Sequence, residues 1–216
     1  MAKHIDKLYE DVFSSFDAKR LLEDYTRMRV LYPDQTSFML QSLTKETAKD
    51  MTTLYDFMYA EDAWNKCDEY VPQSDPTYTA KNMWKHKRYC MDTLHEFFKG
   101  TYTEEVFNYI NEICIERMGQ RVSQIIYHEM VGGRCYAMHY DMFDYYYHIP
   151  IQTTPWAFFI KESEKDLGDF ELYTMPDIGS VYALPTNVMH SAFSAESTLV
   201  KRVHILFPLV DANHII

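Results

Sequence analysis

The chain reads as an α+β protein in which helices from its first half pack on a β-barrel made by its second. Three observations predict this. Apolar residues recur at helical spacing as far as about Gly119, short runs rich in β-branched and aromatic residues follow, and turn-forming residues separate those runs. The expected organisation is a mainly helical part over residues 1–119 and a barrel over residues 120–216, together forming a single globular unit. At 216 residues, such a chain buries about 70% of its unfolded surface, enough for a core without metal or disulfide staples.

The elements follow in order. Ile5, Leu8, Val12, Phe13, Phe16, Leu21, Leu22 and Tyr25 recur at helical spacing and predict a helix over residues 5–28. Residues 30–32 and 37–40 are each short and apolar enough to be a strand. Met51, Leu54, Phe57 and Met58 predict a helix over residues 45–66, and the prolines of residues 72–78 predict a loop. Helix resumes over residues 82–98 and stops at Gly100. It restarts after Thr103, whose hydroxyl is placed to cap a helix carrying Val106, Ile110, Ile113 and Met118. Strands are then predicted at residues 122–127, 134–139, 145–153, 156–161, 170–174, 180–184, 187–193 and 202–210. Turns at Gly132-Gly133, Thr154-Pro155, residues 166–169, residues 176–179 and residues 195–198 separate them. Short strands at this spacing make a β-sandwich or barrel.

Composition narrows the function classes. With 32 acidic against 21 basic residues and a net charge of −11, the chain is a poor partner for a phosphate backbone. The one dense basic run, Trp84-Lys85-His86-Lys87-Arg88, reads as the solvated face of a helix. No apolar run approaches the roughly 18 residues of a membrane span, and Met1-Ala2-Lys3-His4-Ile5-Asp6 lacks the start of a signal peptide. A cytoplasmic protein with no membrane partner is expected. Cys67, Cys90, Cys114 and Cys135 form no Cys-x-x-Cys pair, so reduced thiols are expected rather than a zinc knuckle or redox motif.

Chemistry concentrates in the second half. His139 and Asp141 are two apart near a predicted strand end, so both side chains share a face of the sheet. Alone, the pair is a weak signal and reads as a surface His–Asp contact. His190 adds a polar ring to an apolar strand, and Arg202 opens the apolar run Arg202-Val203-His204-Ile205-Leu206-Phe207. Two histidines and one carboxylate make the facial triad of non-haem iron(II), and an inward arginine can grip a ligand carboxylate through two hydrogen bonds. Asp144 rivals Asp141, but its odd spacing from His139 turns it to the other face. His128-Glu129 lacks the second histidine, four residues on, that a zincin helix needs. Trp156, Phe158 and Phe159 are expected in the barrel core, with one of them walling a substrate pocket. His204 shares the face of Arg202 and is either a neighbour supporting the site or a core histidine.

Taken in order, His139-x-Asp141, Tyr147-His148-Ile149-Pro150-Ile151, Gly179-x-Val181, His190 and Arg202-Val203-His204 resemble the iron(II)/2-oxoglutarate-dependent oxygenases. They are most similar to the aspartyl/asparaginyl β-hydroxylase branch, which includes bacterial free-proline hydroxylases. The resemblance covers roughly residues 120–210. It implies a double-stranded β-helix, a jelly-roll or cupin-like barrel, with iron(II) and 2-oxoglutarate as cofactors. His139, Asp141 and His190 would then be the metal ligands and the catalytic centre. Arg202 would hold the distal carboxylate of 2-oxoglutarate, and His148 would also contact the co-substrate. Tyr146 stands where the branch has arginine, so its contact would be a single uncharged hydrogen bond. Asp141 follows the proline hydroxylases rather than the animal enzymes, which lack that carboxylate.

The implied reaction is hydroxylation of an amino acid or an amino-acid side chain, with 2-oxoglutarate converted to succinate and CO₂. The substrate is expected to be a small molecule or a peptide, with the helical half contributing to its pocket or to a homodimer interface. Two alternatives use the same strands. One is a non-catalytic cupin-type barrel that binds a small carboxylate or serves as an interaction module. The other is a jelly-roll isomerase or deoxygenase with a different divalent metal.

Overall fold

A computed structural model of the chain describes residues 3–4, 12–33, 37–39, 41–42, 93–122, 125–141, 143–163 and 168–211. The expected helix at 45–66, the loop at 72–78, the basic run at 84–88 and most of the helix at 82–98 lie outside these residues.

Two sheets make the framework. The larger joins β10 (Tyr182–Pro185), β7 (Tyr145–Gln152), β12 (Lys201–Asp211), β6 (Ile126–Val131) and β2 (Ser37–Met39) in that order, with β5 (Gln120–Val122) also paired to β12. The smaller runs β1 (Lys3–His4), β9 (Phe170–Thr174), β8 (Ala157–Glu162), β11 (His190–Ser194). All pairings in these two sheets are antiparallel except β1 with β9. A two-residue pair, β3 (Gln41–Ser42) and β4 (Thr93–Leu94), stands apart. From β6 onward the chain passes repeatedly between the two sheets, and this order is jelly-roll-like.

Segment 134–139, expected as a regular strand, is instead an irregular edge along β11. Isolated bridges join Cys135 to Phe193 and His139 to His190. The N–H of Ser194 donates to Arg134 and that of Tyr136 to Ala192, but the next bonded residue, His139, is three positions on from Tyr136 rather than two. That extra residue breaks the ladder as a bulge does.

Alternation along the strands of the larger sheet separates two environments. On its outer face Tyr127, Tyr147, Ile149, Val203, Ile205 and Phe207 join one core with Leu21, Tyr25, Met28, Phe98, Val106 and Ile110. Leu21, Tyr25 and Met28 belong to helix α1 (Ala18–Leu31), Val106 and Ile110 to helix α2 (Tyr102–Ile113). Between the sheets, Phe159, Met175, Tyr182 and Leu184 form a smaller core. Among the described helices, none is long and apolar enough to cross a membrane.

Several expectations are corrected. Of the helix expected over 5–28, residues 5–11 lie outside the described residues, 12–17 are not helical, and α1 begins at Ala18, where Asp17 Oδ1 accepts from the N–H groups of Lys19 and Arg20 at 3.1 and 3.2 Å. Phe13 and Phe16 are buried outside it. Of the two short apolar runs near it, 30–31 ends α1 and 37–39 is the strand. Thr103 does not cap α2, because it already sits inside the first turn. Its N–H and hydroxyl both donate at 2.9 Å to Asp24 of α1, so a buried carboxylate from another helix satisfies that end. The boundary at 119 does not divide the architecture either, since β1 and β2 of the first half join the two sheets.

Candidate active site

His139, Asp141 and His190 come together at the smaller sheet. The backbones of His139 and His190 exchange two hydrogen bonds of 2.9 Å, and the N–H of Asp141 donates to Thr186 at 2.8 Å. Nε2 of His139 lies 3.7 Å from Asp141 Oδ1, and Nε2 of His190 lies 3.4 Å from Asp141 Oδ2. All three ligand atoms fall within 4.8 Å of one another, the sole such cluster of three among the described residues. Each imidazole is held from behind. His139 Nδ1 donates to the Ala137 carbonyl at 2.7 Å, and His190 Nδ1 donates to the Val188 carbonyl at 2.9 Å. A carbonyl can only accept, so a neutral ring in this position presents a lone pair at Nε2, the form that binds a metal. Phe159 stacks on His190 at 5.3 Å between centroids and fixes that ring further.

The triad lines a cavity of about 390 Å³ between the sheets. Tyr146, His148 and Arg202 line it too, with His128, Tyr136, Phe159 and Thr186. Period two accounts for this. Tyr146 and His148 of β7 face inward, while Tyr147 faces outward and stacks on Phe207 at 5.2 Å. Arg202 is 3% exposed, and its Nε and Nη1 have no hydrogen-bond partner. Burial pushes its ionisation down to about 10, which leaves it a cation at neutral pH.

Three histidines surround this cation. His204 is fully buried, pairs across the strands with His128, and places Nδ1 3.3 Å from Nδ1 of His148. One of those two nitrogens must donate and the other accept. Burial first, and the Arg202 charge second, push His128 down to about 3 and hold His148 and His204 well below the usual imidazole range. All three are neutral rings at neutral pH. His204 therefore supports the cavity wall from behind rather than lining it.

Two expectations fare differently. Asp144 is exposed and accepts from Asn187 at 3.1 Å, so it takes no part in the cluster. Trp156 is 56% exposed and lies outside the cavity. Its N–H donates to the Thr154 hydroxyl at 2.9 Å in the turn before β8, so the strand begins one residue too late to carry it inward. Phe159 provides the aromatic wall instead. From the sequence His128 is weighed only as half of a zincin-like motif and Tyr136 carries no signal; the register of β6 against β12 reveals that His128 stands opposite His204.

No family model and no curated protein matches the chain. Among solved structures, it is similar to an oxidoreductase of the 2OG-Fe(II) oxygenase family from Burkholderia pseudomallei, at 9% identity over 93% of this chain and 95% of that one, TM-score 0.43. It is also similar to AviO1 from Streptomyces viridochromogenes Tue57, at 11% identity over 97% and 88%, TM-score 0.43. A cupin domain from Bordetella pertussis Tohama I shows 16% identity over 40% and 80%, TM-score 0.30. Likeness at this level carries no argument about chemistry, which rests on the geometry above.

Proposed function

We propose that the chain is a non-haem iron(II) and 2-oxoglutarate-dependent dioxygenase on a double-stranded β-helix, related to the aspartyl/asparaginyl β-hydroxylase branch. One observation carries this reading. A single cavity joins a His/Asp/His cluster to a buried guanidinium with two free hydrogen-bonding positions. The donor set suits iron(II), since two imidazoles locked through Nδ1 and one carboxylate leave the remaining coordination positions for ligands. His139, Asp141 and His190 would hold the metal, which when bound supplies oxygen activation coupled to decarboxylation of the keto acid.

The chain's own residues do the rest. Arg202 binds and orients the distal carboxylate of 2-oxoglutarate, and a buried cation is a better anion receptor than one in water. His148 and Tyr146 line the co-substrate's part of the cavity. Phe159 keeps water from one face of His190. The substrate is an amino acid or an amino-acid side chain, free or within a peptide.

The test is iron(II)-dependent release of succinate from 2-oxoglutarate. The wild type should produce it, while His139→Ala, Asp141→Ala and His190→Ala should reduce it at least a hundredfold with the fold intact. Asp144→Ala should be close to wild type. Full activity in His190→Ala would sink the assignment. A second reading, a carboxylate-binding barrel without catalysis, draws on the same open guanidinium; Arg202-dependent anion binding with no succinate would favour it.

A further inference from the structure

A line of four polar residues crosses the smaller sheet. An isolated bridge pairs His139 with His190, β11 and β8 pair His190 with Lys161, and β8 and β9 pair Lys161 with Glu171. Residues directly opposite one another in antiparallel strands point to one face, with Cβ atoms about 4.5–5.5 Å apart. That face is the cavity side, because Phe159, two residues before Lys161, stacks on His190 and lines the cavity. The two imidazoles of the metal cluster are thus continued, in the same row, by an ammonium and a carboxylate. The neighbouring row of Ala192, Phe159 and Tyr173 brings only hydrocarbon and one phenol hydroxyl.

The pair is largely buried. The side chains of Lys161 and Glu171 are 12% and 23% exposed, and Lys161 Nζ lies 3.8 Å from Glu171 Oε2. A charge-assisted hydrogen bond is about 2.7–2.9 Å long, so these two charges attract without closing into one. The Tyr173 hydroxyl donates to the same Glu171 oxygen and holds the carboxylate in the row. Taking two charges out of water is costly, and the backbone ladder already joins β8 to β9 without them.

We propose that Lys161 and Glu171 form the substrate's recognition pair, Lys161 receiving the carboxylate and Glu171 the ammonium of one free α-amino acid held beside His190. An α-amino acid carries those two charges on a single carbon. Entering between the pair, it replaces one long contact with two short ones. Inside a peptide the same groups are uncharged amides, so the pair selects against residues within a chain. Arg202 belongs to the larger sheet, and the two anions therefore meet separate cations. The proposal rests on the oxygenase reading for what the bound amino acid meets at the metal.

Calorimetry on protein loaded with iron(II) and 2-oxoglutarate, under nitrogen, tests it. The wild type is titrated with each common L-amino acid. The tightest binder is then compared with its amide, which lacks the carboxylate charge, and with its N-acetyl form, which lacks the ammonium. Each modification should weaken binding about tenfold to a hundredfold, as for loss of a hydrogen bond to a charged group. Lys161→Met should bind the amino acid and its amide alike, yet still discriminate against the N-acetyl form. Glu171→Gln should show the reverse. A pair that only ties β8 to β9 would lower stability in urea without this crossed pattern, and that result would overturn the proposal. So would an amide and an N-acetyl form that bind the wild type as tightly as the amino acid, or no binding by any L-amino acid; neither comparison needs a variant to fold. Succinate release from 2-oxoglutarate would then leave the oxygenase reading in place. The crossed pattern in a protein that releases no succinate in air would uphold the pair and remove the oxygenase.

Discussion

Arg202 is buried in a strand whose other inward residues are His204 and Leu206, and its planar fork has two positions open. An ammonium cannot make two parallel hydrogen bonds to one carboxylate. Arg202→Lys should therefore raise the Michaelis constant for 2-oxoglutarate about tenfold to a hundredfold, the equivalent of roughly 1.5–3 kcal/mol for a charge-assisted bond. Steady-state succinate release against 2-oxoglutarate concentration measures it, and a constant unchanged by the substitution would place the anion elsewhere. This residue was legible in the sequence because an arginine among alternating apolar residues has few reasons to face a core. His190 was legible for the same reason, a polar ring in an apolar strand, whereas His139 and Asp141 were legible from their spacing and the resemblance, because they sit on an irregular edge rather than on a buried strand face. Tyr136 and His128 were not. Their 2.7 Å contact joins an irregular edge of one sheet to a strand of the other, and neither residue breaks the pattern of its own run.

At the scale of elements, the link between α1 and α2 shows what a local reading cannot see. Thr103 looked like a cap by residue type, yet the carboxylate that accepts from it belongs to Asp24, 79 residues away. Asp24 is 3% exposed, pairs with Arg27, and takes both the N–H and the hydroxyl of Thr103. With its own proton on Asp24, the Thr103 hydroxyl accepts at 2.8 Å from the Tyr127 hydroxyl, whose proton is shared with the Leu21 carbonyl at 3.2 Å. One buried chain of hydrogen bonds thus ties both helices to β6. Asp24→Asn keeps the shape but removes the charge and one acceptor. It should cost about 1–3 kcal/mol of stability by urea denaturation, the range for leaving buried donors unsatisfied. Thr103→Val in the Asp24→Asn background should add less than it does alone, because the two act in one network. Additive losses would show that the bonds are independent.

For the whole molecule, the sequence foretold most strands from β5 onward, because each is a short apolar or alternating run between turns. It did not foretell which sheet each strand joins, or that β1 and β2 would extend both sheets, since pairing partners far apart leave no periodic trace. The resulting molecule surrounds a cation with neutral histidines and apolar walls. A buried charge without a bonding partner on two of its nitrogens costs several kcal/mol, whether or not it serves a ligand. Arg202→Met keeps much of the volume and removes that charge. It should weaken 2-oxoglutarate binding at least as much as Arg202→Lys yet make the ligand-free protein more stable, by about 1–4 kcal/mol in urea denaturation at pH 7. The pH dependence follows from the direction of the shift. Burial brings Arg202 down to about 10 from an ordinary value of 12.5, so the unfolded chain holds this proton more tightly than the folded one. The cost is fully present below the folded value and is relieved as pH rises through about 10. The stability gap between Arg202→Met and the wild type should therefore be constant from pH 6 to 8 and narrow as pH approaches and passes 10. With both proteins loaded with iron(II), saturating 2-oxoglutarate should narrow the gap at pH 7 from the other side, by stabilising the wild type more than the variant. A variant less stable than the wild type at pH 7 without ligand would mean that the guanidinium is satisfied in the free protein, and that the cavity is not held open for an anion.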